Sequence, residues 1–338
     1  MDAARVARNP SSRPPLARQR NSIAVSLLRW TRLVDRRPGL SILLFHRVLA
    51  DHDPFRPGDL TAIEFEAIIE VLANNFTVLP LDEAVARLQA NSLPRAAASI
   101  TFDDGYRDNL EVATPILARH GVTASIFITT GFLNGEWMFN DRVIEACRRT
   151  KRTSAVFRPL VHESIDLSSE AARVAAAHAM LDKAKYLDFD ARIAAVAELE
   201  DRLEVQLDRG PMLDPDGVRH LRDAGMAIGA HTVDHPILTR IDDASARAQI
   251  QESRQQLVDL LREPVTQFAF PNGQPGKDYG SAHVHMVVES GFECAVSTSP
   301  CTARPGMSLF ELPRFTPWDK APWRFAARLA MKRVLDGR

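Results

Sequence analysis

The most constraining feature of this sequence is a regular alternation of short apolar runs with longer segments of helical periodicity, which begins near residue 40. This alternation is typical of parallel βα units, because parallel strands need a crossover connection between them. We predict strands at 41–45, 98–102, 122–129, 227–230, 265–270 and 294–297, and helices at 61–74, 109–120, 214–224, 242–262 and 282–290. About seven or eight such strands favour a (β/α) barrel over an open sheet.

The segment from about 134 to 210 interrupts this alternation. It is rich in Ala, Glu and Arg, and it shows helical patterns with no clear strand between them. We predict a helical insertion in one βα loop, and such loops at the C-terminal face of a barrel commonly cover the active site. A surface subdomain without a catalytic part is the alternative.

The N-terminal stretch differs in composition from the rest of the chain. Residues 1–37 are rich in Arg, Pro and Ser and contain few acids, which indicates a disordered basic tail. Contact with an anionic membrane surface is the alternative, with 23–30 as a short apolar helix. No apolar run here is long enough for a signal peptide or a membrane span. We therefore expect a cytoplasmic protein whose folded domain spans 38–338.

Charge and cysteine content exclude two classes of protein. The chain has 42 basic and 43 acidic residues, a formal net charge of -1, which gives no electrostatic basis for nucleic-acid binding. Its three cysteines, Cys147, Cys294 and Cys301, match no zinc-module spacing, and we expect no disulfide scaffold.

Two adjacent acids follow one of the predicted strands, in the segment SITFDDGY at 99–106. In a parallel barrel this position places Asp103 and Asp104 at the catalytic face, and Gly105 permits a sharp turn. Such a pair can divide the work, so that one carboxylate binds a metal and the other transfers protons. Asp-Asp-Gly also occurs in ordinary turns, which is the alternative for this motif taken alone.

Two histidines, His231 and His235, lie four residues apart just after another predicted strand. On one helical turn, this spacing places both imidazoles on the same face. Two imidazoles and a carboxylate, with positions left open for water and substrate, form a catalytic zinc site or a related divalent site. A structural or exposed pair is the alternative. Asp234 could support one of the ligands or be solvated.

Together, the two motifs resemble those of the polysaccharide deacetylases, the NodB-like carbohydrate esterases of family 4. TFDDG occupies 101–105, an H-(S/T)-x-x-H motif occupies 231–235, and the resemblance extends over roughly 41–318. It implies a distorted (β/α) barrel of about seven strands and a hydrolase of N-acetyl or O-acetyl groups.

The resemblance also implies roles for individual residues. Asp103 corresponds to the general base of the family. Asp104, His231 and His235 correspond to its metal ligands, with zinc as the expected ion. A metal at this position would activate water and polarise the acetyl carbonyl.

The third motif of the family, R-x-P-Y-G, is altered here to FAFPNG at 268–273. Pro271 and Gly273 match, but Ala269 replaces the Arg and Asn272 replaces the Tyr. The backbone N–H of Asn272, next to Pro271, could still serve as an oxyanion donor, because that role needs no particular side chain. An ordinary strand-to-loop turn is the alternative.

Two further segments resemble an exopolysaccharide-associated branch of the same family: ILLFHRV at 42–48 and ELPRFTPW at 311–318. We predict that Arg314 replaces the missing Arg and keeps Asp103 ionised. We predict that His46 is the general acid, since the chain has no L-x-x-H motif and no histidine after residue 300. The alternatives are a core histidine at 46 and a surface salt bridge at 314.

Three aromatic residues, Trp137, Phe139 and Trp318, could stack on sugar rings. Core packing is the alternative, and we expect it for at least one of them.

The sequence therefore predicts a metal-dependent deacetylase that acts on N-acetyl groups of a polysaccharide or oligosaccharide, in exopolysaccharide synthesis or modification. The alternatives are a hydrolase of the same fold that cleaves a non-sugar amide, and an inactive glycan-binding module. The expected partners are an acetylated glycan, no nucleic acid, and at most a peripheral membrane contact through the basic N-terminus.

Overall fold

A computed structural model describes residues 39–157, 161–185 and 187–335. The predicted basic tail at 1–37 and its short helix at 23–30 lie outside the described residues. The boundary at residue 38 stays a prediction.

The described strands and helices follow the predicted order closely. The strands are β1 (Leu40–Phe45), β2 (Val48–Leu49), β3 (Leu60–Thr61), β4 (Thr77–Val78), β5 (Ala97–Phe102), β6 (Ser125–Ile128), β7 (Ser154–Phe157), β8 (Val161–Asp166), β9 (Ala227–Ala230), β10 (Gln267–Ala269) and β11 (Cys294–Val296). The α-helices are α1 (Ala62–Asn75), α2 (Leu81–Gln89), α3 (Thr114–Arg119), α4 (Phe139–Arg149), α5 (Glu170–Ala184), α6 (Phe189–Leu203), α7 (Pro215–Asp223), α8 (Asp243–Leu261), α9 (Ser281–Glu289) and α10 (Pro322–Leu335). Short 3-10 turns lie at Thr130–Phe132 and Leu238–Arg240.

A seven-stranded parallel sheet forms the centre, in the order β1-β5-β6-β9-β10-β11, with β4 paired to one end of β5. The extended segment around 312–315 connects the two edges of this sheet. Leu312 bridges Val296 of β11, and Phe315 bridges Leu43 of β1, both in parallel. The backbone N–H of Leu44 donates to the carbonyl of Phe315 at 3.0 Å. The sheet therefore curls into the predicted distorted (β/α) barrel.

The central strands are buried and mostly apolar because both faces of the sheet are covered. All six residues of β1 and all six of β5 are buried. Alternate side chains face opposite directions. Ile100 packs with Phe65 and Leu72 of α1 in the core under the helices, whereas Ile42 belongs to a second cluster inside the barrel.

Helix α1 begins as its sequence predicts. The hydroxyl of Thr61 accepts the N–H of Glu64, and the Glu64 carboxylate accepts the N–H of Thr61 at 2.8 Å, which completes a capping box.

The helix predicted at 109–120 differs in detail. It opens as a π-helix at Asn109–Ala113 and becomes the α-helix α3 only afterwards. Pro115 lacks the N–H that a regular α-helix would use here, and the Thr114 hydroxyl instead donates to the carbonyl of Asn109 at 2.8 Å.

The insertion at 134–210 contains the helices α4, α5 and α6, as predicted, but it also contains a pair of strands that was not predicted. The strands β7 and β8 pair antiparallel between α4 and α5. Side chains along β7 alternate, with Val156 exposed and Phe157 buried, so this hairpin follows the period of a half-exposed strand. The insertion has its own hydrophobic cluster, in which Met180 and Leu199 pack around Phe157, and Phe55 of the barrel joins it.

Two further expectations concern cysteines and membranes. The three cysteines, all within the described ranges, form no disulfide. No helix in the described part of the chain is both long and apolar enough to cross a membrane.

Candidate active site

The chemically reactive side chains collect at the C-terminal ends of the parallel strands, the catalytic face of such a barrel. His46 follows β1, Asp103 and Asp104 follow β5, and His231 follows β9. Asn272 follows β10, and Arg314 comes from the segment that closes the barrel. All of these residues except the fully buried Arg314 line a single cleft of about 580 Å³.

Asp104, His231 and His235 form a cluster whose ligand atoms all lie within 4.8 Å of one another. The Asp104 Oδ1 atom is 3.6 Å from Nε2 of His231 and 3.5 Å from Nε2 of His235. The other ring nitrogen of His231, Nδ1, is 2.7 Å from the backbone carbonyl of Ala269. This hydrogen bond fixes the proton on Nδ1, so Nε2 presents its lone pair to the cluster.

The chemistry of these three side chains fits a divalent cation. Asp104 Oδ1 is buried and has no hydrogen-bond partner within the described residues. Burial and the neighbouring charge of Asp103 raise the pKa of Asp104 well above its usual value. Burial lowers the pKa of His231 to about 4 and that of His235 well below its usual range. The imidazoles are thus neutral, as metal binding requires, and a cation would compensate the otherwise unpaired carboxylate.

The two histidines meet through a turn, and the predicted helical turn was wrong. Thr232 and His235 have φ angles of +63° and +54° in the left-handed region. The N–H of His235 donates to the hydroxyl of Thr232 at 3.1 Å. The imidazole rings consequently approach to 4.9 Å between centroids without any helix.

Asp234 supports this turn through a contact with α8. Its carboxylate accepts a hydrogen bond from the Gln249 side chain of α8 at 2.6 Å. The side-chain amide oxygen of Gln249 accepts the N–H groups of Val233 and Asp234 at 3.0 and 2.8 Å. Asp234 and Gln249 therefore anchor the histidine turn to α8, and sequence reasoning missed Gln249.

Strained backbone conformations are concentrated at the site. Asp104 has a φ of +76°, which is costly for a residue with a Cβ, and Gly105 follows at +85°. A side chain on Gly105 would meet Ile128 at 3.0 Å. The Asp-Asp-Gly sequence therefore forms a sharp turn that separates the directions of its two carboxylates.

Asp103 is held by Arg314 in a two-pronged ion pair. The guanidinium nitrogens Nη1 and Nη2 lie 2.6 and 2.7 Å from Oδ1 and Oδ2 of Asp103. Arg314 is completely buried, and its Nε donates to the carbonyl of Ser297 at 2.9 Å. Burial alone would raise the pKa of Asp103, but the charge of Arg314 lowers it to about 2. A surface salt bridge, the alternative for Arg314, is wrong.

His46 lines the same cleft and its side chain is exposed to it. The core position considered for this residue is therefore wrong. The enclosing walls of the cleft lower the pKa of His46 below 6.5, Asp103 opposes this shift, and Arg314 adds to it. The backbone carbonyl of His46 accepts a hydrogen bond from Asn109 at 2.8 Å, which fixes the end of β1.

The altered third motif still forms part of the wall of the cleft. Asn272 lines the cleft with a φ of +58°, and no hydrogen bond among the described residues uses its N–H. Gly273 follows at +71°, and a Cβ there would come within 3.0 Å of the Thr298 backbone. Pro271 is buried behind Asn272, so it shapes the turn without facing the cleft.

The three candidate aromatic residues are in different places. Trp318 lines the cleft and is 72% exposed. Trp137 and Phe139 belong to the insertion, where Trp137 donates to the carbonyl of Asp208 and Phe139 packs on the insertion core. Of these three residues, only Trp318 belongs to the described lining of the cleft, where a sugar ring could stack on it.

A buried polar network beneath the site was missed by the sequence analysis. Asp141 of α4 accepts hydrogen bonds from Tyr106 at 3.0 Å and from Arg56. Arg47 stacks over the Tyr106 ring at 4.4 Å and pairs with Asp108 at 2.8 Å. Through Tyr106 and Arg47, this network connects the insertion to the backbone beside Asp104 and His46. Its sequence signal is an acid on the apolar face of an amphipathic helix, three residues before the buried Ile144.

Comparison with known proteins agrees with this geometry. The model of the polysaccharide deacetylase family matches residues 90–292. Over 91 residues the chain is 33% identical to a Bacillus subtilis protein, YxkH, that is named as a polysaccharide deacetylase. This alignment covers 26% of the chain and 31% of YxkH, so the chain matches about a third of the length of that relative.

Solved structures share the fold at low identity. The Streptococcus pyogenes deacetylase PplD, solved with acetate, has a TM-score of 0.56 at 16% identity over 83% of this chain and 92% of its own. IcaB from Ammonifex degensii has a TM-score of 0.55 at 16% identity over 86% of this chain and 97% of its own.

Proposed function

Because the chain belongs to the polysaccharide deacetylase family, we propose that it is a metal-dependent hydrolase that removes N-acetyl groups from a polysaccharide or oligosaccharide. Exopolysaccharide synthesis or modification is the proposed setting. The observation that carries the proposal is the cluster of Asp104, His231 and His235 beside an Arg-paired Asp103 in one open cleft.

Each residue of the cleft has a proposed part in amide hydrolysis. A divalent ion, with zinc proposed, would be held by Asp104, His231 and His235, and when bound it supplies acidity to water and polarises a carbonyl. Asp103, free of the ligand set, accepts the proton of the attacking water. The N–H of Asn272 is available to donate to the oxygen that becomes negative.

The leaving nitrogen needs a proton, because an amine anion is a very poor leaving group. His46 faces the cleft from the first strand, next to the segment that closes the barrel. An imidazole can transfer a proton near neutral pH, so we assign the general acid to His46.

The Asp103–Arg314 contact argues against an inactive glycan-binding module. The change of the third-motif Arg to Ala269 removes one cation, but Arg314 supplies a buried one from another part of the barrel. The carboxylate that acts as base is therefore still oriented and ionised.

The decisive experiment for this function is an acetate-release assay. Zinc-reconstituted protein would be incubated with N-acetylhexosamine oligomers, O-acetylated oligosaccharides and small cyclic amides. We expect acetate from the N-acetylated oligomers. Ring opening of cyclic amides alone would identify a non-sugar amidase, and sugar binding without metal-dependent turnover would identify a binding module.

The metal assignment predicts the composition of the purified protein. We expect about one divalent ion per chain, because three protein ligands with open positions are typical of a catalytic site. His231→Ala and His235→Ala should each lower the metal content measured by elemental analysis, whereas His178→Ala, outside the cleft, should not. Unchanged metal content in both cleft variants would refute the ligand set.

The Asp103–Arg314 pair predicts a shift in the pH profile. A cation stabilises the ionised carboxylate, so Arg314→Met should raise the pKa of Asp103 by about 1 to 3 units. The base is then protonated at higher pH, and the acidic limb of kcat/KM should move upward.

A suitable control for this shift is Arg107→Met, since Arg107 donates to the carbonyls of Gly210 and Met212 and forms no ion pair with Asp103. The acidic limb of the kcat/KM profile of Arg107→Met should stay at the wild-type pH. An unmoved limb in Arg314→Met would show that Arg314 only stabilises the fold.

A further inference from the structure

The cleft borders a small side pocket of about 80 Å³. The two spaces share Lys185, Asn272 and Gln274 in their linings. Arg240 and Lys277 complete the charged part of the side pocket. A group that extends from a substrate in the cleft could therefore enter this pocket along Asn272 and Gln274.

Three exposed basic residues line this pocket, and each comes from a separate element. Lys185 lies at the end of α5 in the insertion. Arg240 lies in the 3-10 turn shortly after His235, and Lys277 lies in the loop after β10. Bringing three like charges to one small space is unfavourable unless an anion compensates them.

These cations have no acidic partners within the described part of the chain, unlike many others in this protein. For example, Arg142 pairs with Glu200 at 2.6 Å, and Arg148 pairs with Asp53. The acid in the described pocket lining, Asp278, is only 5% exposed and already accepts the N–H of Gln274 at 3.0 Å. Since the whole chain has a net charge of -1, the positive charge of the pocket is a local property.

We propose that this side pocket binds an anionic substituent, a carboxylate or a phosphate, on the sugar next to the acetylated one. The proposal rests on the proposed deacetylase function and specifies its substrate as an acidic glycan. A neutral acetamido sugar gives three cations nothing to pair with, and the amine product would be repelled by them. The pocket has space for about two or three water-sized groups, which suits one oxyanion.

The test compares matched disaccharides. One carries N-acetylhexosamine linked to a hexuronic acid, the second is the same molecule with its carboxyl group reduced, and the third carries a phosphate at that position. An exposed ion pair changes an equilibrium about 1.5- to 5-fold, so three together should favour an anionic disaccharide about 3- to 100-fold in kcat/KM. The larger ratio, for carboxylate or for phosphate, identifies the anion.

Replacing the three cations should remove this preference. In the triple variant Lys185→Gln, Arg240→Gln, Lys277→Gln, the ratio of anionic to neutral kcat/KM should fall towards one. The matched control is Lys183→Gln, an exposed lysine two residues earlier on the same helix that does not line the pocket. High salt should also reduce the wild-type ratio, because these charges are accessible to screening.

Titration calorimetry with the same disaccharides separates the two proposals. One outcome is that no acetate is released, but the wild-type protein binds the anionic disaccharides more tightly than the neutral one, and the triple variant shows no such difference. This outcome would support the side pocket and refute the deacetylase function. If the wild-type protein shows no preference for the anion in either turnover or binding, or the triple variant keeps that preference, the side-pocket proposal is overturned.

Discussion

Asp103→Asn should lower kcat about 100- to 10,000-fold while leaving the divalent metal in place, because removing a positioned base has that typical cost. Asparagine keeps the shape of the side chain but cannot accept the proton of water. The metal should remain, since Asp104, His231 and His235 form a complete cluster without Asp103. Elemental analysis and acetate release, measured on the same preparation, test the two parts of this expectation.

The variant has a foreseeable structural cost. It leaves Arg314 buried opposite a neutral side chain, and breaking a buried pair in this way typically destabilises a protein by about 3 to 5 kcal/mol. The double variant Asp103→Asn, Arg314→Met removes both charges and should recover much of the melting temperature. Activity should stay low in both variants. Recovery of turnover along with folding would show that Asp103 serves only the fold, and loss of metal in a folded variant would make it a ligand.

The fold could be predicted from the sequence because local signals and the global arrangement agree. The strand predicted at 41–45 is found at Leu40–Phe45, and the helix predicted at 242–262 is found at Asp243–Leu261. Buried parallel strands are mostly apolar runs, and the helices between them show their own periodicity. The β7–β8 hairpin was not predicted, because β7 has only four residues, of which one is buried, and β8 (VHESID) is mostly polar in sequence.

The site was less predictable, because it depends on backbone conformations that motifs do not specify. Four-residue spacing suggested a helical turn for His231 and His235, but left-handed residues at Thr232 and His235 produce the approach. The Asp141 network depends on the packing of α4 against a loop roughly a hundred residues earlier in the chain, and periodicity within one helix cannot reveal such a partner.

Arg314 shows what a resemblance can and cannot supply. The motif pattern showed that a cation was missing at Ala269, and the closing segment offered a candidate. Only the curled sheet shows why the candidate can reach Asp103: Phe315 pairs with β1, which is itself the neighbour of β5. A residue distant in the chain can therefore lie beside Asp103 in the barrel.

His46→Ala should slow amide cleavage about 100-fold or more, the typical contribution of a positioned acid, in a protein that remains folded and metal-loaded. The side chain faces the cleft and is exposed, so its removal creates no core cavity. An activated aryl ester should suffer a much smaller loss, because its leaving group departs as a stable anion and needs no proton. The measurement is the loss of amide turnover in His46→Ala divided by its loss of ester turnover, each relative to the wild-type protein.

The pH profile gives an independent readout of the same role. The cleft lowers the pKa of His46 below 6.5, which makes its protonated form a stronger acid but a scarcer one at neutral pH. A general acid is lost as pH rises through its pKa, so amide turnover by the wild-type protein should decline on a basic limb that begins below that value. This limb should be absent from the ester profile and from His46→Ala. Equal losses of amide and ester turnover, with the basic limb intact, would instead assign His46 to substrate binding.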